Sequence, residues 1–184
     1  RGANGVIIVT TNRQASDVEA KTIEYNGYVA IAKVANKLDI LSADQWRGYV
    51  RENNIGNAQD YGANTDWQDE LLRTAVSHSH NIAFSNTKKT NGYRASFTYQ
   101  NTQGVVERNN MNRLAGSLSA YQTGLNGRLR LDEGINANFD SWHPVDTRIF
   151  ERMINLNPTF PVYNPDGSYA QLGGTNTENP VEIN

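Results

Sequence analysis

The stretch KTIEYNGYVAIAK, residues 21–33, alternates between two kinds of side chain along its whole length. Its odd positions are mostly apolar and include Ile23, Tyr25, Val29 and Ile31. Its even positions include the polar residues Thr22, Glu24 and Asn26. A period of two is typical of a β-strand with one apolar and one polar face. The stretch is longer than an average soluble strand of about 5–6 residues, and it reaches the roughly 9–11 residues that a tilted membrane strand needs.

The same period recurs in four later stretches of the chain. Apolar positions dominate the even face of 76–85 and 113–120 and the odd face of 93–100 and 128–139. The members of these four faces are Val76, His78, His80, Ile82 and Phe84; Tyr93, Ala95, Phe97 and Tyr99; Leu114, Gly116, Leu118 and Ala120; and Leu129, Leu131, Ile135, Ala137 and Phe139. The sequence therefore predicts a mainly β fold with five long antiparallel strands.

The connections between these strands differ sharply in length. KKTNGY at 88–93, with an Asn-Gly hairpin signal, joins strands two and three, and YQTGLNG at 121–127 joins strands four and five. About forty residues separate strands one and two, and more than forty follow strand five. Short turns at one end and long loops at the other are the organisation of bacterial outer-membrane barrels. The turn after strand three, NTQGVVERNN at 101–110, is short for a loop on the outer side.

The long connections carry helix signals. Ser42–Gln45 and Thr65–Gln68 have the pattern of capping boxes, which predicts short helices near 43–52 and 66–74. A third helix is expected near 146–156. Its apolar side consists of Ile149, Phe150, Met153 and Ile154.

Composition excludes several classes of protein. Lys and Arg total 17 against 19 Asp and Glu, so no basic surface for nucleic acid is indicated. The absence of cysteine excludes disulfides and thiolate metal sites. The mean hydropathy of -0.65 is too polar for a helical membrane protein. A transmembrane β-barrel is not excluded by that value, because its lumen-facing residues are polar.

Four stretches resemble one family. RGANGVIIVTT at 1–11 resembles the close of the plug domain in SusC/RagA-like TonB-dependent outer-membrane transporters. YGANTDWQDELLRTA at 61–75, followed by HNIAFS, is similar to the family's entry into its second barrel strand. YRASFTYQNTQGVV at 93–106 is similar to the third strand and its turn, and NPTFPVYNPDGSY at 157–169 to a surface loop. The matches follow the family's order and cover essentially the whole chain.

The resemblance implies a domain organisation. Residues 1–13 would end the plug domain, 14–140 would form the first barrel strands with a long helical loop at 35–75, and 141–184 would be an extracellular loop region. The chain would then begin at the plug-to-barrel junction and be a fragment. It would hold five of the family's roughly 22 strands and could not close a pore.

The plug-junction motif consists of Arg1, Gly2, Ala3, Asn4, Gly5, Val6, Ile7, Ile8 and Val9. Gly2 and Gly5 allow close backbone approaches that a Cβ would prevent. The apolar run 6–9 suits a strand that is buried on both faces, as a plug inside a barrel requires. In the rival interpretation, a phosphate-binding loop, the glycines would follow a strand and open a helix. Here they precede the strand.

The function implied by the resemblance is energised import of glycans or peptides across the outer membrane. The implied partners are a SusD-like surface lipoprotein, TonB acting through a region upstream of residue 1, the oligosaccharide or peptide substrate, and the lipid bilayer. No nucleic acid, cofactor or enzymatic activity is expected. Segments 35–75 and 141–184 would face the cell exterior, and the two short turns the periplasm. The alternative is a secreted, soluble β-sandwich that binds carbohydrate.

Six aromatic residues in the long connections are candidate contacts for a substrate or partner. They are Trp46, Tyr49, Tyr61, Trp67, Trp142 and Tyr163. Large aromatic side chains of this kind dominate both interfaces and interiors. Packing of the loops onto the rest of the protein is therefore the alternative role.

Other polar residues have weaker functional interpretations. His78 and His80 share a strand face and would bind a metal only with a third ligand such as His143; surface histidines are the more ordinary interpretation. The pairs Asp69/Glu70 and Asp132/Glu133 suggest acid–base chemistry, but the first pair also suits the first turn of a helix. Glu133 shares the face of Leu131 and Ile135, unless a bulge near Gly134 turns it inward. Both orientations are open.

Overall fold

The structure, a computed structural model, describes residues 19–172 and 178–184. Five strands are present: β1 Ala20–Ala32, β2 Ala75–Thr87, β3 Asn91–Gln103, β4 Asn110–Gly124 and β5 Leu129–His143. Four helices accompany them: α1 Ala43–Glu52, α2 Trp67–Leu71, α3 Arg148–Asn155 and α4 Pro180–Ile183. The plug-junction motif, Arg1 to Val9, and the predicted domain 1–13 lie outside the described residues.

The strands form one antiparallel sheet in sequence order, β1-β2-β3-β4-β5. All five alternating stretches are strands, so the predicted mainly β fold is confirmed. The strands contain 13 to 15 residues; β2 to β5 extend beyond their alternating stretches, whereas β1 matches its stretch to within one residue at each end. β4, for example, begins at Asn110 and ends at Gly124, whereas alternation covers only 113–120. At its ends the even positions are Asn110, Asn112, Gln122 and Gly124, so the apolar pattern does not mark them.

The two faces of the sheet have the predicted composition. Apolar side chains of the predicted face are exposed, from 36% for Ile82 to 73% for Ile23. The opposite face carries polar contacts: Thr22 and Ser85 hydroxyls lie 2.5 Å apart, Arg94 donates to Glu24 at 2.6 Å, and Ser96 and Ser117 hydroxyls lie 2.6 Å apart. Both residues of each pair lie on the face that the alternation predicts to be polar. The assignment of these residues to that face is therefore confirmed.

The β2–β3 hairpin differs from its prediction in one respect. The turn consists of residues 88–90, and Asn91 and Gly92 already belong to β3. Gly92 is required for a close approach: a Cβ there would lie 2.6 Å from Cε1 of Tyr121 and 2.9 Å from the main-chain oxygen of Asn86. The Tyr121 hydroxyl donates to the main-chain oxygen of Lys88 at 2.5 Å. The Asn-Gly pair therefore lies within β3, where Gly92 makes room for Tyr121 of β4, and it does not form the two-residue turn of the hairpin.

The β4–β5 connection is a short 3₁₀ turn, Leu125–Gly127. Three successive residues have positive φ: Leu125 at 52°, Asn126 at 54° and Gly127 at 88°. Positive φ is unusual for leucine. The sequence predicted a short turn here but not this backbone conformation.

The helix predictions are confirmed in position, with one correction to a cap. Ser42 caps α1 in a complete capping box with Gln45. α2 is shorter than predicted, and its N-cap is Asp66, whose carboxylate accepts from the main-chain nitrogens of Gln68 and Asp69. The Thr65 hydroxyl is not a cap because it donates to the main-chain oxygen of Phe160 at 2.6 Å. α3 is one turn shorter than expected, and α4 was not predicted.

The described residues divide into two units, each of which is compact. One contains 19–27, 80–99 and 113–139; the other contains 28–79, 100–112, 140–172 and 178–184. The second unit holds an apolar core of Trp67, Leu71, Val106, Ile149, Met153, Leu156, Phe160, Val162 and Ala170. None of the described helices has both the length and the apolar character needed to cross a membrane.

Candidate functional site

The loop region of the second unit is built around Trp67. This indole is 1% exposed, and its Nε1 donates to the main-chain oxygen of Asn157 at 3.3 Å. The ring of Phe160 lies 6.5 Å from Trp67 and 5.1 Å, edge to face, from Tyr61. Aromatic pairs at such separations are favourable in protein interiors. Trp67 and Tyr61 thus pack the loops together.

Residues 157–160 are bonded to the chain between α1 and α2. Thr159 is fully buried; its hydroxyl accepts from the Tyr61 main-chain nitrogen at 3.1 Å, and its main-chain oxygen accepts from Ala63 at 2.9 Å. The Asn157 side chain donates to the main-chain oxygen of Gln59 at 3.0 Å. These bonds join segments that lie about a hundred residues apart in sequence.

On the other side of this region, the guanidinium of Arg47 forms hydrogen bonds with residues 60, 63 and 64. Arg47 on α1 donates to Asp60 from Nε at 2.7 Å and from Nη2 at 3.1 Å. It also donates to Asn64 Oδ1 at 2.6 Å and to the Ala63 main-chain oxygen at 2.7 Å. The hydrogen bonds from Arg47, then one from the Gly62 main-chain nitrogen, lower the pKa of Asp60 from its usual 3.8 to about 2. Asp60 therefore remains an anion over all ordinary pH values.

The segment after β1 is tied to α2 by Gln68. This buried amide accepts from the Leu38 main-chain nitrogen at 2.8 Å and donates to the Leu38 main-chain oxygen at 2.8 Å. Lys37 forms an ion pair with Asp69 and lies 3.6 Å from Asp66. The hydrogen bond from Lys37 lowers the pKa of the Asp69 carboxyl. Asp69 is therefore an ion-pair partner, and this disfavours an acid–base role for the Asp69/Glu70 pair.

Between these elements lies an open groove of about 710 Å³. Its apolar lining includes Leu38, Leu41, Trp46, Ile154 and Pro158. Its polar lining includes Asp39, Asp44, Asn64, Asp66 and Asn155. Leu38, Leu41 and Ile154 are about half exposed, at 53%, 49% and 47%. A groove with an indole, aliphatic side chains and several carboxylates and amides can hold a ligand with both apolar surfaces and hydrogen-bonding groups.

The six predicted aromatic residues separate into two groups. Trp46 lines the groove, and Tyr49, Trp142 and Tyr163 are exposed at 54%, 67% and 50%. Tyr61 and Trp67 pack around Phe160; Trp67 also borders the groove, but only 1% of its surface is exposed. For Trp67, which is almost completely buried, the packing alternative is favoured over direct contact.

Tyr163 belongs to a small hairpin that sequence reasoning did not isolate. Tyr163 and Tyr169 form an isolated antiparallel bridge, and their rings lie 5.2 Å apart. Arg108 donates to the Tyr169 hydroxyl at 2.9 Å. The turn between the two tyrosines, 164–168, contains Gly167 with a φ of 83°. The Asn-Pro-Asp-Gly run at 164–167 is a turn signal that could have revealed this pair.

The histidine and carboxylate candidates lie elsewhere. The Tyr25 hydroxyl and His80 Nδ1 lie 2.6 Å apart on the apolar face of the sheet. In the part of the chain that the structure describes, no three His, Asp or Glu side chains converge as metal ligands, so His78, His80 and His143 form no such group. Asp132 is paired with Arg130 at 2.9 Å. Glu133 lines a separate cleft of about 280 Å³ beside Tyr93 and Leu131.

No protein-family model matches the chain. It is 34% identical to the TonB-dependent receptor SusC of Bacteroides thetaiotaomicron over 181 residues, which are 95% of this chain and 18% of that protein. It is 30% identical to the TonB-dependent receptor P3 of Formosa agariphila over 193 residues, which are 100% of this chain and 19% of that protein. The chain therefore spans about a fifth of the length of these relatives.

A solved structure, that of the RagAB peptide transporter, has a similar fold. The TM-score is 0.63 and the sequence identity 17%, covering 89% of this chain and 24% of the transporter chain. At this identity the likeness concerns the fold alone. Sequence similarity along nearly the whole chain and this shared fold agree, and the chain belongs with the SusC/RagA-like TonB-dependent receptors.

Proposed function

We propose that the chain forms part of an energised outer-membrane importer of glycans or peptides and has no enzymatic activity. The observation that carries this proposal is the apolar face of five strands, each 13 to 15 residues long. Its large side chains are between 36% and 73% exposed, whereas the opposite face is polar. Strands with an apolar outer band and a polar inner face are what a membrane-spanning barrel requires.

The same observation argues against the alternative, a soluble carbohydrate-binding β-sandwich. A sandwich buries its apolar face against a second sheet. The described residues form a single sheet whose apolar face is exposed. A lipid environment supplies the missing apolar contact.

The proposed topology follows from the loop lengths. Segments 35–75 and 141–184 face the cell exterior, and the turns at 88–90 and 125–128 face the periplasm. The barrel strands lie within 14–140, and the plug domain ends at 1–13. TonB acts through a region upstream of residue 1, and a SusD-like lipoprotein covers the exterior side. The names of the relatives support the dependence on TonB.

We assign substrate or lipoprotein contact to the partly or fully exposed aromatic residues of the exterior segments. Trp46 contributes to the groove together with Leu38, Leu41 and Ile154. Tyr49, Trp142 and Tyr163 present rings to solvent outside it. Tyr61 and Trp67 hold the loops that carry these residues.

Spin labels placed in the full-length receptor test the membrane assignment. Labels at Ile31, Phe97 and Leu118 should collide with a lipid-soluble relaxation agent and be shielded from a water-soluble one. Their neighbours on the opposite face, Ala32, Thr98 and Ser119, provide matched controls and should give the reverse pattern. Labels at the first three positions that report bulk water or a sealed protein interior would contradict the importer.

A further inference from the structure

The described residues contain three Asn-Gly pairs: Asn26–Gly27, Asn91–Gly92 and Asn126–Gly127. In such a pair the main-chain nitrogen of glycine can attack the side-chain carbonyl of asparagine, because no Cβ obstructs the approach. The attack requires the backbone to leave its folded conformation, so its rate depends on how firmly the pair is held. Asn4–Gly5 lies outside the described residues and offers no comparison.

Asn126–Gly127 is the least constrained of the three pairs. It lies in the turn between β4 and β5, and both residues are exposed. Asn126 has a φ of 54° and Gly127 a φ of 88°. No atom lies within 4 Å of the position that a Cβ on Gly127 would take. Exposed turn tips of this kind are where local opening is least costly.

The other two pairs are held in strands. Gly92 is buried in β3 under the ring of Tyr121, and the Asn91 main-chain oxygen accepts from Lys88 at 2.8 Å. Asn26–Gly27 is also exposed, but it lies in the middle of the 13-residue strand β1 rather than in a turn. The same chemical pair is thus present in one open and two ordered environments within one chain.

We propose that Asn126 is a site of deamidation. The Gly127 nitrogen bonds to Cγ of Asn126 and loses its proton, and the side-chain nitrogen leaves as ammonia, which closes a succinimide ring. Water, the only co-reactant, then opens the ring at either carbonyl to give aspartate or isoaspartate. The product carries a new negative charge next to Arg128. Isoaspartate also adds one main-chain carbon to the turn that joins β4 to β5. This modification is independent of transport.

Peptide mass spectrometry of the folded protein, in membranes or detergent, tests this proposal. Trypsin releases 114–128, 90–94 and 22–33, and each peptide contains a single asparagine, at 126, 91 and 26 respectively. After incubation in mildly alkaline buffer, the mass gain of about 1 Da is followed in each peptide. Fragment ions separate Asn126 from Gln122 in the first peptide.

Asn126 should convert at least about tenfold faster than Asn91 and Asn26 in the folded protein, and the three rates should converge to within about threefold in denaturant. Gly127→Ala should slow conversion at Asn126 at least about tenfold in both conditions, because the added Cβ hinders the attacking nitrogen. The denatured measurement does not depend on whether this variant folds. Equal rates at the three sites in the folded protein, or faster conversion at Asn91 or Asn26, would overturn the proposal.

Discussion

Arg47 and Asp60 are joined side by side by two hydrogen bonds, Nε to Oδ2 at 2.7 Å and Nη2 to Oδ1 at 3.1 Å. The same guanidinium donates to Asn64 and to the Ala63 main-chain oxygen. One side chain of α1 therefore fixes residues 60–64. Because Trp46 and Asn64 both line the groove, this arrangement positions part of its wall.

Arg47→Lys should loosen residues 60–64 without unfolding the protein. Lysine keeps the charge but cannot make a two-point contact with a carboxylate. We expect proteolysis and amide hydrogen exchange in this segment to become several-fold faster, with little change in the strands. Arg51→Lys, one turn further along α1 and exposed, is the matched control. Equal exchange in both variants would show that the Arg47 contacts do not hold the segment.

The loop should also loosen in acid. Hydrogen bonds from Arg47 and Gly62 lower the pKa of Asp60 from 3.8 to about 2. Since the folded-state pKa is depressed, the stabilisation is nearly complete above about pH 5 and is lost progressively as the pH falls toward 2. The protection factors of amides 60–64, which correct for the intrinsic slowing of exchange in acid, should fall across that window. Asp60→Asn, which does not titrate, should already exchange quickly at neutral pH and lose the pH dependence. An unchanged acid response in this variant would assign the effect to another carboxylate.

Replacement of Trp46 and Trp67 should have different consequences. Trp67→Ala removes a buried indole and should destabilise the loop region by about 3–5 kcal/mol. Denaturant titration followed by loop proteolysis measures this loss. Trp46→Ala should leave the midpoint nearly unchanged but weaken substrate uptake or lipoprotein docking. Tyr93→Ala, near the opposite end of the strands, is the control for uptake. If Trp46→Ala lowers stability as much as Trp67→Ala does, its contact role is wrong.

Gly92→Ala should disrupt the β2–β3 hairpin. The added methyl group would meet the Tyr121 ring at 2.6 Å and the Asn86 oxygen at 2.9 Å. Overpacking of this kind typically costs about 1–3 kcal/mol. Gly124→Ala is the control, since no atom lies within 4 Å of its Cβ position. Unfolding of the detergent-solubilised protein should distinguish the two variants, and a neutral Gly92→Ala would mean that Tyr121 moves aside without cost.

Cysteine labelling on intact cells should reveal the topology. The chain itself contains no cysteine, and any native cysteine elsewhere in the receptor is first replaced so that a single introduced thiol gives an unambiguous signal. In the full-length receptor, Asn57→Cys lies in the proposed exterior segment and should react with a membrane-impermeant reagent. Thr90→Cys lies in the β2–β3 turn and should react only after the cells are opened. The reverse pattern would contradict both the orientation and the proposed contact surface.

Period-two alternation made the strands predictable, because it depends only on which face each side chain occupies. The contacts Glu24–Arg94 and Ser96–Ser117 fall on the predicted polar face for this reason. The ends of β4 were not predictable, since the even positions near 110 and 124 carry no large apolar side chain and the alternation stops there. Ser42 could be identified as a cap because its partner Gln45 is only three residues away. Thr65 does not cap α2 because its hydroxyl bonds to the distant Phe160, and Asp66 is the cap instead.

The sequence by itself determined the five strands, their two faces, the position of three helices and the family. Only the tertiary structure separated Trp46 from Trp67: both border the groove, but Trp67 is buried in the core and Trp46 is partly exposed, and the local sequence pattern does not distinguish them. Only the tertiary structure likewise shows that Gly92 leaves room for the ring of Tyr121 and that Arg47 binds Asp60. These relationships join residues 13 or more positions apart, and no local periodicity encodes which distant segments meet. The strands follow from local alternation, whereas the groove depends on long-range packing.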